Sequence, residues 1–204
     1  WLQVRMEDGH EMLDPTTSAV FAVADHQIAH VYVRNPSLVP QVKQLLQGVP
    51  GVEAVWDKSE QAAHHIAHER SGELVVMSDA RSWFTYYFWL DDALAPDFAR
   101  TVEIHRKPGY DPVELFLDPK IAFPKLTIVG KLLKKILGFR MLMDVIPLDA
   151  TLVKGSHGRP TDDPLDGPLV ISDMPDLLPS RVAATDIKDI ALQHIFGAAN
   201  AVSH

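Results

Sequence analysis

The stretch AVFAVADHQIAHVYV, residues 19–33, decides most about the fold. Its apolar residues alternate with other residues, and it is rich in Val, Ala and Tyr, as β-strands are. The pattern predicts one strand, or two short strands around Asp25, inside a sheet.

The pattern continues towards the C-terminus. Pro36 opens a helical spacing of apolar residues that ends at Gly48 and Pro50, and VEAVW (52–56) is a strand candidate. Residues 59–69 have helical spacing with Ser59 as the predicted N-cap, and ELVVMS (73–78) is the next strand. These elements predict a β-α-β-α-β segment and an α/β fold.

The second half of the chain is less regular. Between Trp83 and Pro124 the residues are aromatic, charged and interrupted by prolines, which is typical of covering or functional loops. Residues 126–138 predict an amphipathic helix that packs on the body with its lysines in solvent, since membrane-surface binding would need more cationic length and a wider apolar face. Strands at 141–148 and 168–172 and a helix within 181–196 complete the predicted elements.

Composition excludes several classes of function. The chain of 204 residues contains no cysteine, so disulfides and zinc-thiolate sites are excluded and a cytoplasmic location is expected. Its net charge of −8 argues against an extended nucleic-acid surface, and no apolar stretch is long enough to span a bilayer. We therefore expect neither nucleic acid nor a membrane as a partner, and leave a homo-oligomer open.

The clearest chemical signal is Gly155-Ser156-His157-Gly158. A histidine between small residues after a predicted strand can bring its ring nitrogen close to a metal ion. A solvent-exposed turn histidine is the alternative interpretation.

This loop is similar to the segment that supplies the last histidine ligand in the type I phosphodiesterase/nucleotide pyrophosphatase family of the alkaline phosphatase superfamily. DHQIAHVYV, HERSGELVV, SWFTYYFWLDD and IHRKPGYDPVELFLDP extend the resemblance over most of residues 19–172. It implies an alkaline phosphatase-like sheet flanked by helices, of which this chain is the C-terminal part. It also implies two divalent metal ions, typically zinc, with His157 as one ligand, and a small phosphate ester as substrate. No Asp-His-Gly occurs here, so the nucleophile and most ligands are expected upstream, in a missing N-terminal part, and this chain alone is expected to be inactive.

Other residues are candidates for supporting roles. In HRKPGYDP (105–112), Arg106, Lys107 and Tyr110 could contact a substrate, or the loop could be structural with Arg106 paired to Asp111 or Asp118. His26, His30 and His105 are candidates for outer-shell support of metal ligands, although hydrogen-bonded structural histidines are the favoured interpretation of the first two. His64 and His68 have i, i+4 spacing, and the aromatic run 83–89 is interpreted as packing rather than a base-stacking platform.

The sequence thus predicts four segments: a leader or linker (1–18), the β-α-β-α-β segment (19–90), covering or recognition loops (91–125) and a region with a helix, the metal loop and a C-terminal helix (126–204). Two functions are compatible with this arrangement. One is a metal-dependent hydrolase of phosphodiester or pyrophosphate bonds in nucleotide-type substrates. The other is a non-catalytic module of the same fold that binds an anionic metabolite or a protein partner.

Overall fold

A computed structural model of the chain describes residues 1–197. Its strands are β1 (Val4–Glu7), β2 (His10–Leu13), β3 (Val20–Asp25), β4 (Ile28–Val33), β5 (Val52–Asp57) and β6 (Leu74–Ser78). Its α-helices are α1 (Val39–Gln47), α2 (Lys58–Ala63), α3 (Pro124–Ile136) and α4 (Ile187–Phe196). Short 3-10 turns occur at Pro36–Leu38, Pro112–Leu115, Ala150–Leu152, Pro164–Asp166, Pro175–Leu177 and Ala184–Asp186. The predicted α/β class is confirmed.

The central sheet has four strands in the order β3-β4-β6-β5, and all neighbours are antiparallel. Since β4 and β5 both run opposite to β6, they are parallel to each other. The predicted β-α-β unit is therefore β4-α1-β5, with β6 inserted between its two strands. Strand β6 is buried at every position, which explains its continuous apolar sequence.

Strands β3 and β4 form a hairpin whose two-residue turn is His26-Gln27. His26 has a φ of 57°, and a two-residue hairpin requires such a left-handed first residue. The prediction of two short strands around Asp25 is confirmed. The alternative of a single strand over residues 19–33 is wrong, because His26 and Gln27 make the turn.

Helix α2 is shorter than predicted and has a different cap. The Asp57 side chain accepts hydrogen bonds from the Ser59 and Glu60 backbones, and the Glu60 side chain accepts one from the Asp57 backbone. The prediction of Ser59 as N-cap is therefore wrong. The helix ends at Ala63 because His65 has a φ of 58°, so His64 and His68 do not share a helical face.

The irregular region contains a second core. Its buried residues are Tyr86, Trp89, Ala95, Phe98, Ala99 and Leu148. The aromatic run thus packs, as predicted, but without forming a strand. The predicted strand at 141–148 is also wrong: Val145 and Ile146 are buried, yet regular pairing is limited to an isolated bridge between Asp144 and Thr101.

Two further expectations fail within residues 1–197. The stretch 168–172 forms no strand, and Leu169 and Ile171 are exposed. Helix α3 forms close to its predicted position, but none of its residues is buried, so the predicted packing of its apolar face on the body is wrong.

Contacts divide the chain into two compact units, residues 1–159 and 160–204. The predicted leader contains the β1–β2 hairpin, and the second unit contains α4, which lies within the predicted helical range. Among residues 1–197, no helix is both long and apolar enough to cross a membrane.

Candidate functional site

The Gly-Ser-His-Gly loop lies against the β3–β4 turn. The His157 ring stacks on the His26 ring with 3.8 Å between centroids and 23° between planes. The Gln27 backbone N–H donates to the His157 carbonyl oxygen at 2.9 Å, and His26 Nδ1 lies 3.1 Å from Ser156 Oγ. Backbone and side-chain contacts together hold the loop, and His157 itself remains exposed.

Tyr110 also stacks on His26, with 4.9 Å between centroids. It is placed there because the chain at Gly109 pairs with β3: the Tyr110 N–H donates to the Ala24 carbonyl at 2.9 Å. Gly109 has a φ of 129°, and a Cβ at this position would overlap the Ala24 carbonyl oxygen. Glycine is thus required for the approach that brings Tyr110 to the site.

The loop that carries His157 is held by contacts at Gly158 and at the next residue, Arg159. Gly158 has a φ of 112°, and an added Cβ would lie 3.4 Å from the Gln27 nitrogen. The next residue, Arg159, forms a two-point ion pair with Glu53 of β5, at 2.7 and 3.1 Å. These contacts fix the loop against two strands of the sheet.

Burial disfavours the charged form of the turn histidine His26. It lowers the pKa of His26, the nearby His157 lowers it further, and Asp25 partly opposes both effects. A lowered pKa favours the uncharged imidazole, which can stack on the His157 ring without placing a positive charge beside it.

The predicted substrate residues separate in the structure. Tyr110 joins the stack of rings. Arg106 instead pairs with Asp97 at 3.1 Å and lies 4.8 Å above the Phe98 ring. The side chain of Lys107 is completely buried, with Nζ 3.0 Å from Asp111 and 2.6 Å from Glu114. The alternative of a charged structural loop fits these contacts, although the partner of Arg106 is Asp97 rather than Asp111 or Asp118.

The remaining histidines have other surroundings. His30 Nδ1 accepts the Gly72 N–H at 3.2 Å, and burial lowers its pKa, with Lys58 lowering it further and Asp25 opposing. His105 lies exposed in a turn. His64 stacks on Trp56, and His68 Nδ1 accepts the Arg70 N–H. His30 is thus hydrogen-bonded, and whether it supports a metal ligand stays a prediction.

A complete metal site is not formed by the described part of the chain. Within residues 1–197, no three His, Cys, Asp or Glu side chains are grouped so that they could hold an ion. The exposed His157 imidazole fits the role of one ligand, because its ring is held from behind and accessible from solvent.

Sequence reasoning missed the contribution of Ser156 and the contact of Tyr110 with His26. One signal was available: Gly109 and Gly158 each stand beside a ring-bearing residue, and each permits a close approach to the β3–β4 turn. Which segments approach each other could not be read from spacing.

Comparison with known proteins identifies the family. The structure defines a mixed α/β protein with two sheets. Its histidine loop packs against the turn of the β3–β4 hairpin. The family described as type I phosphodiesterase / nucleotide pyrophosphatase matches residues 1–111, more than half of the chain. The chain therefore belongs to this family. No curated protein matches significantly, and no solved structure does.

Proposed function

We propose that this chain is the C-terminal part of a metal-dependent hydrolase of phosphodiester or pyrophosphate bonds in nucleotide-type substrates. In this proposal His157 is one ligand of a centre of two divalent ions, and zinc is the metal that we propose. The hydroxyl nucleophile and the other ligands belong to polypeptide upstream of this chain. The observation that carries the proposal is the packing of the His157 loop on the β3–β4 turn, which leaves the imidazole accessible.

The residues of this chain position the ligand. The ions, when bound, would stabilise charge on phosphoryl oxygens and lower the pKa of the attacking hydroxyl. His26 supports the His157 ring from one side, Ser156 hydrogen-bonds to His26, and Gln27 holds the loop backbone. A ligand held in this way loses little freedom when it binds a cation.

Tyr110 and Arg106 are the proposed substrate contacts. Tyr110 is half exposed beside His26 and could stack on a nucleobase. Arg106 is partly exposed and could exchange its Asp97 partner for a phosphate. Lys107 would act through Asp111 and Glu114, because its ammonium group is buried between them.

The test uses His157→Ala in the complete protein, with His68→Ala as the matched control. Metal content by elemental analysis and turnover of a chromogenic phosphodiester are measured for both variants. We expect His157→Ala to lose bound metal and to reduce turnover more than about 100-fold, the upper end for an outer-shell partner. The control should retain both. Full turnover and full metal content in His157→Ala would contradict the ligand role.

The alternative function is a non-catalytic module that binds an anionic metabolite or a protein partner. A complete protein that contains no metal, yet binds a nucleotide in calorimetry, would favour this alternative over hydrolysis.

A further inference from the structure

Helix α3 turns its apolar side away from the protein. Leu126, Val129, Leu133 and Ile136 follow the spacing of one helical face, and between 52% and 79% of their surface is exposed. A helix of a globular protein ordinarily buries such a face. The arrangement here is the reverse of the usual one.

The mixed side of α3 that contains Thr127 and Lys131 is the half-buried one. Ile128 also lies on this side, and the Lys131 ammonium group pairs with Asp144. The helix is therefore held by this mixed side, and its aliphatic side forms an exposed ridge.

The ridge lies in a strongly cationic segment. Residues 119–143 contain six basic residues and no Asp or Glu. The basic residues are Lys120, Lys125, Lys131, Lys134, Lys135 and Arg140. Since the whole chain carries −8, the other residues carry −14. An anionic surface would attract this segment and repel the rest of the chain, which orients the protein with α3 towards that surface.

Aromatic residues and free lysines flank the aliphatic face. Phe123 precedes the helix in sequence and Phe139 follows it, and both are exposed. Lys125, Lys134 and Lys135 form no ion pair with any residue in 1–197. Lysines of this kind extend their charged ends towards lipid headgroups while their methylene chains cover apolar surface.

We propose that α3 binds the surface of an anionic phospholipid bilayer, with its axis parallel to the surface and its aliphatic face at the headgroup boundary. The sequence of residues 126–138 alone argued against a membrane, because its cationic length and apolar width are small. The structure adds the exposed Phe123 and Phe139 to the apolar face and extends the cationic segment to residues 119–143, and an apolar face flanked by lysines is the pattern of interfacial helices. A second copy of the chain fits less well, because it would bring an identical cationic segment to the contact. This proposal does not depend on hydrolysis or on a metal.

The test is flotation of the complete protein with vesicles that contain phosphatidylglycerol, compared with vesicles of phosphatidylcholine alone. We expect binding to the anionic vesicles only, and weaker binding as added salt shortens the screening length. Replacing both Lys134 and Lys135 by Gln should reduce the partition coefficient by roughly tenfold or more. Leu133→Glu should abolish binding, while Leu90→Glu adds the same charge at an exposed position outside the segment and should not.

Three results would overturn the proposal. The first is no binding to anionic vesicles by the complete protein, which would mean that the ridge is covered or inactive there. The second is equal binding by the Leu133→Glu and Leu90→Glu variants. The third is a dimer in light scattering that Leu133→Glu dissociates, which would assign the ridge to a second copy of the chain.

Discussion

The central sheet and helix α3 use the same aliphatic residue types in opposite ways. In β6, Leu74, Val75 and Val76 are buried from both sides of the sheet. In α3, Leu126 and Ile136 are mostly exposed. The difference shows that hydrophobic periodicity establishes which side of an element is apolar, but not whether the same chain covers it. The following predictions test how different the two regions are in energy.

The largest effect is expected in β6. Leu74→Ala removes a completely buried side chain between two covered faces and should lower the free energy of unfolding by about 2–5 kcal/mol. The matched change Leu126→Ala in α3 should alter it by less than about 0.5 kcal/mol, since that side chain is exposed. Urea denaturation measures both. Equal losses would contradict the exposure of the α3 face.

A second pair of variants compares glycines. Gly109→Ala places a Cβ against the Ala24 carbonyl in a left-handed conformation and should cost about 1–3 kcal/mol. Gly130→Ala, inside α3, meets no atom within 4 Å and should stabilise the protein by about 0.5–1 kcal/mol. Thermal denaturation distinguishes the two directions. A Gly109→Ala variant as stable as the wild type would show that Gly109 is not held against β3.

The cap of α2 should produce a smaller effect. Asp57→Ala removes the capping side chain and should cost about 1 kcal/mol, whereas Ser59→Ala should cost less. The Lys43 ammonium, followed by the Ser59 hydroxyl, holds the pKa of Asp57 well below its usual value. A depressed pKa stabilises the fold above the unfolded value of about 4 and loses this contribution as the pH falls.

This pH dependence is measured by urea denaturation between neutral and strongly acidic pH. The wild type should lose stability relative to Asp57→Ala as the pH falls below about 4. If the two proteins keep the same difference across that range, the contacts of the Asp57 carboxylate with Lys43 and Ser59 do not lower its pKa in the folded protein.

The smallest effect is expected at the anchor of α3. Lys131→Gln removes the ion pair with Asp144 and should change the global stability by at most about 1 kcal/mol, because the pair is partly exposed. Hydrogen exchange should nevertheless accelerate across α3, and Lys134→Gln should leave it unchanged. Unchanged exchange in Lys131→Gln would show that other contacts hold the helix.

Much of the secondary structure could be predicted because it follows local patterns. The β3 and β4 strands, α1, β5, β6 and α3 all lie close to their predicted ranges. The failures have a common cause. The apolar residues Val145 and Ile146 of the 141–148 stretch are buried. They do not form a strand, because no neighbouring segment within residues 1–197 pairs regularly with them. Helix α2 is capped by Asp57 rather than Ser59 because the Asp57 side chain accepts hydrogen bonds from the Ser59 and Glu60 backbones.

The candidate site was predicted only in part. His157 was selected from its glycine-flanked loop, and its role as a ligand stays a prediction. Arg106 and Lys107 were selected from residue type, and their partners Asp97 and Glu114 could not be foreseen because ion pairing depends on which loops meet.

By itself, the sequence determined the α/β class, the positions of most strands and helices, the family resemblance and the choice of His157, since all of these are properties of neighbouring residues. Only the tertiary structure decided that His26, Tyr110 and His157 stack together and that α3 presents its apolar side to solvent. The physical reason is distance along the chain. His26 and Ser156 are 130 residues apart, and their contact depends on how the intervening chain folds back, which no local periodicity encodes.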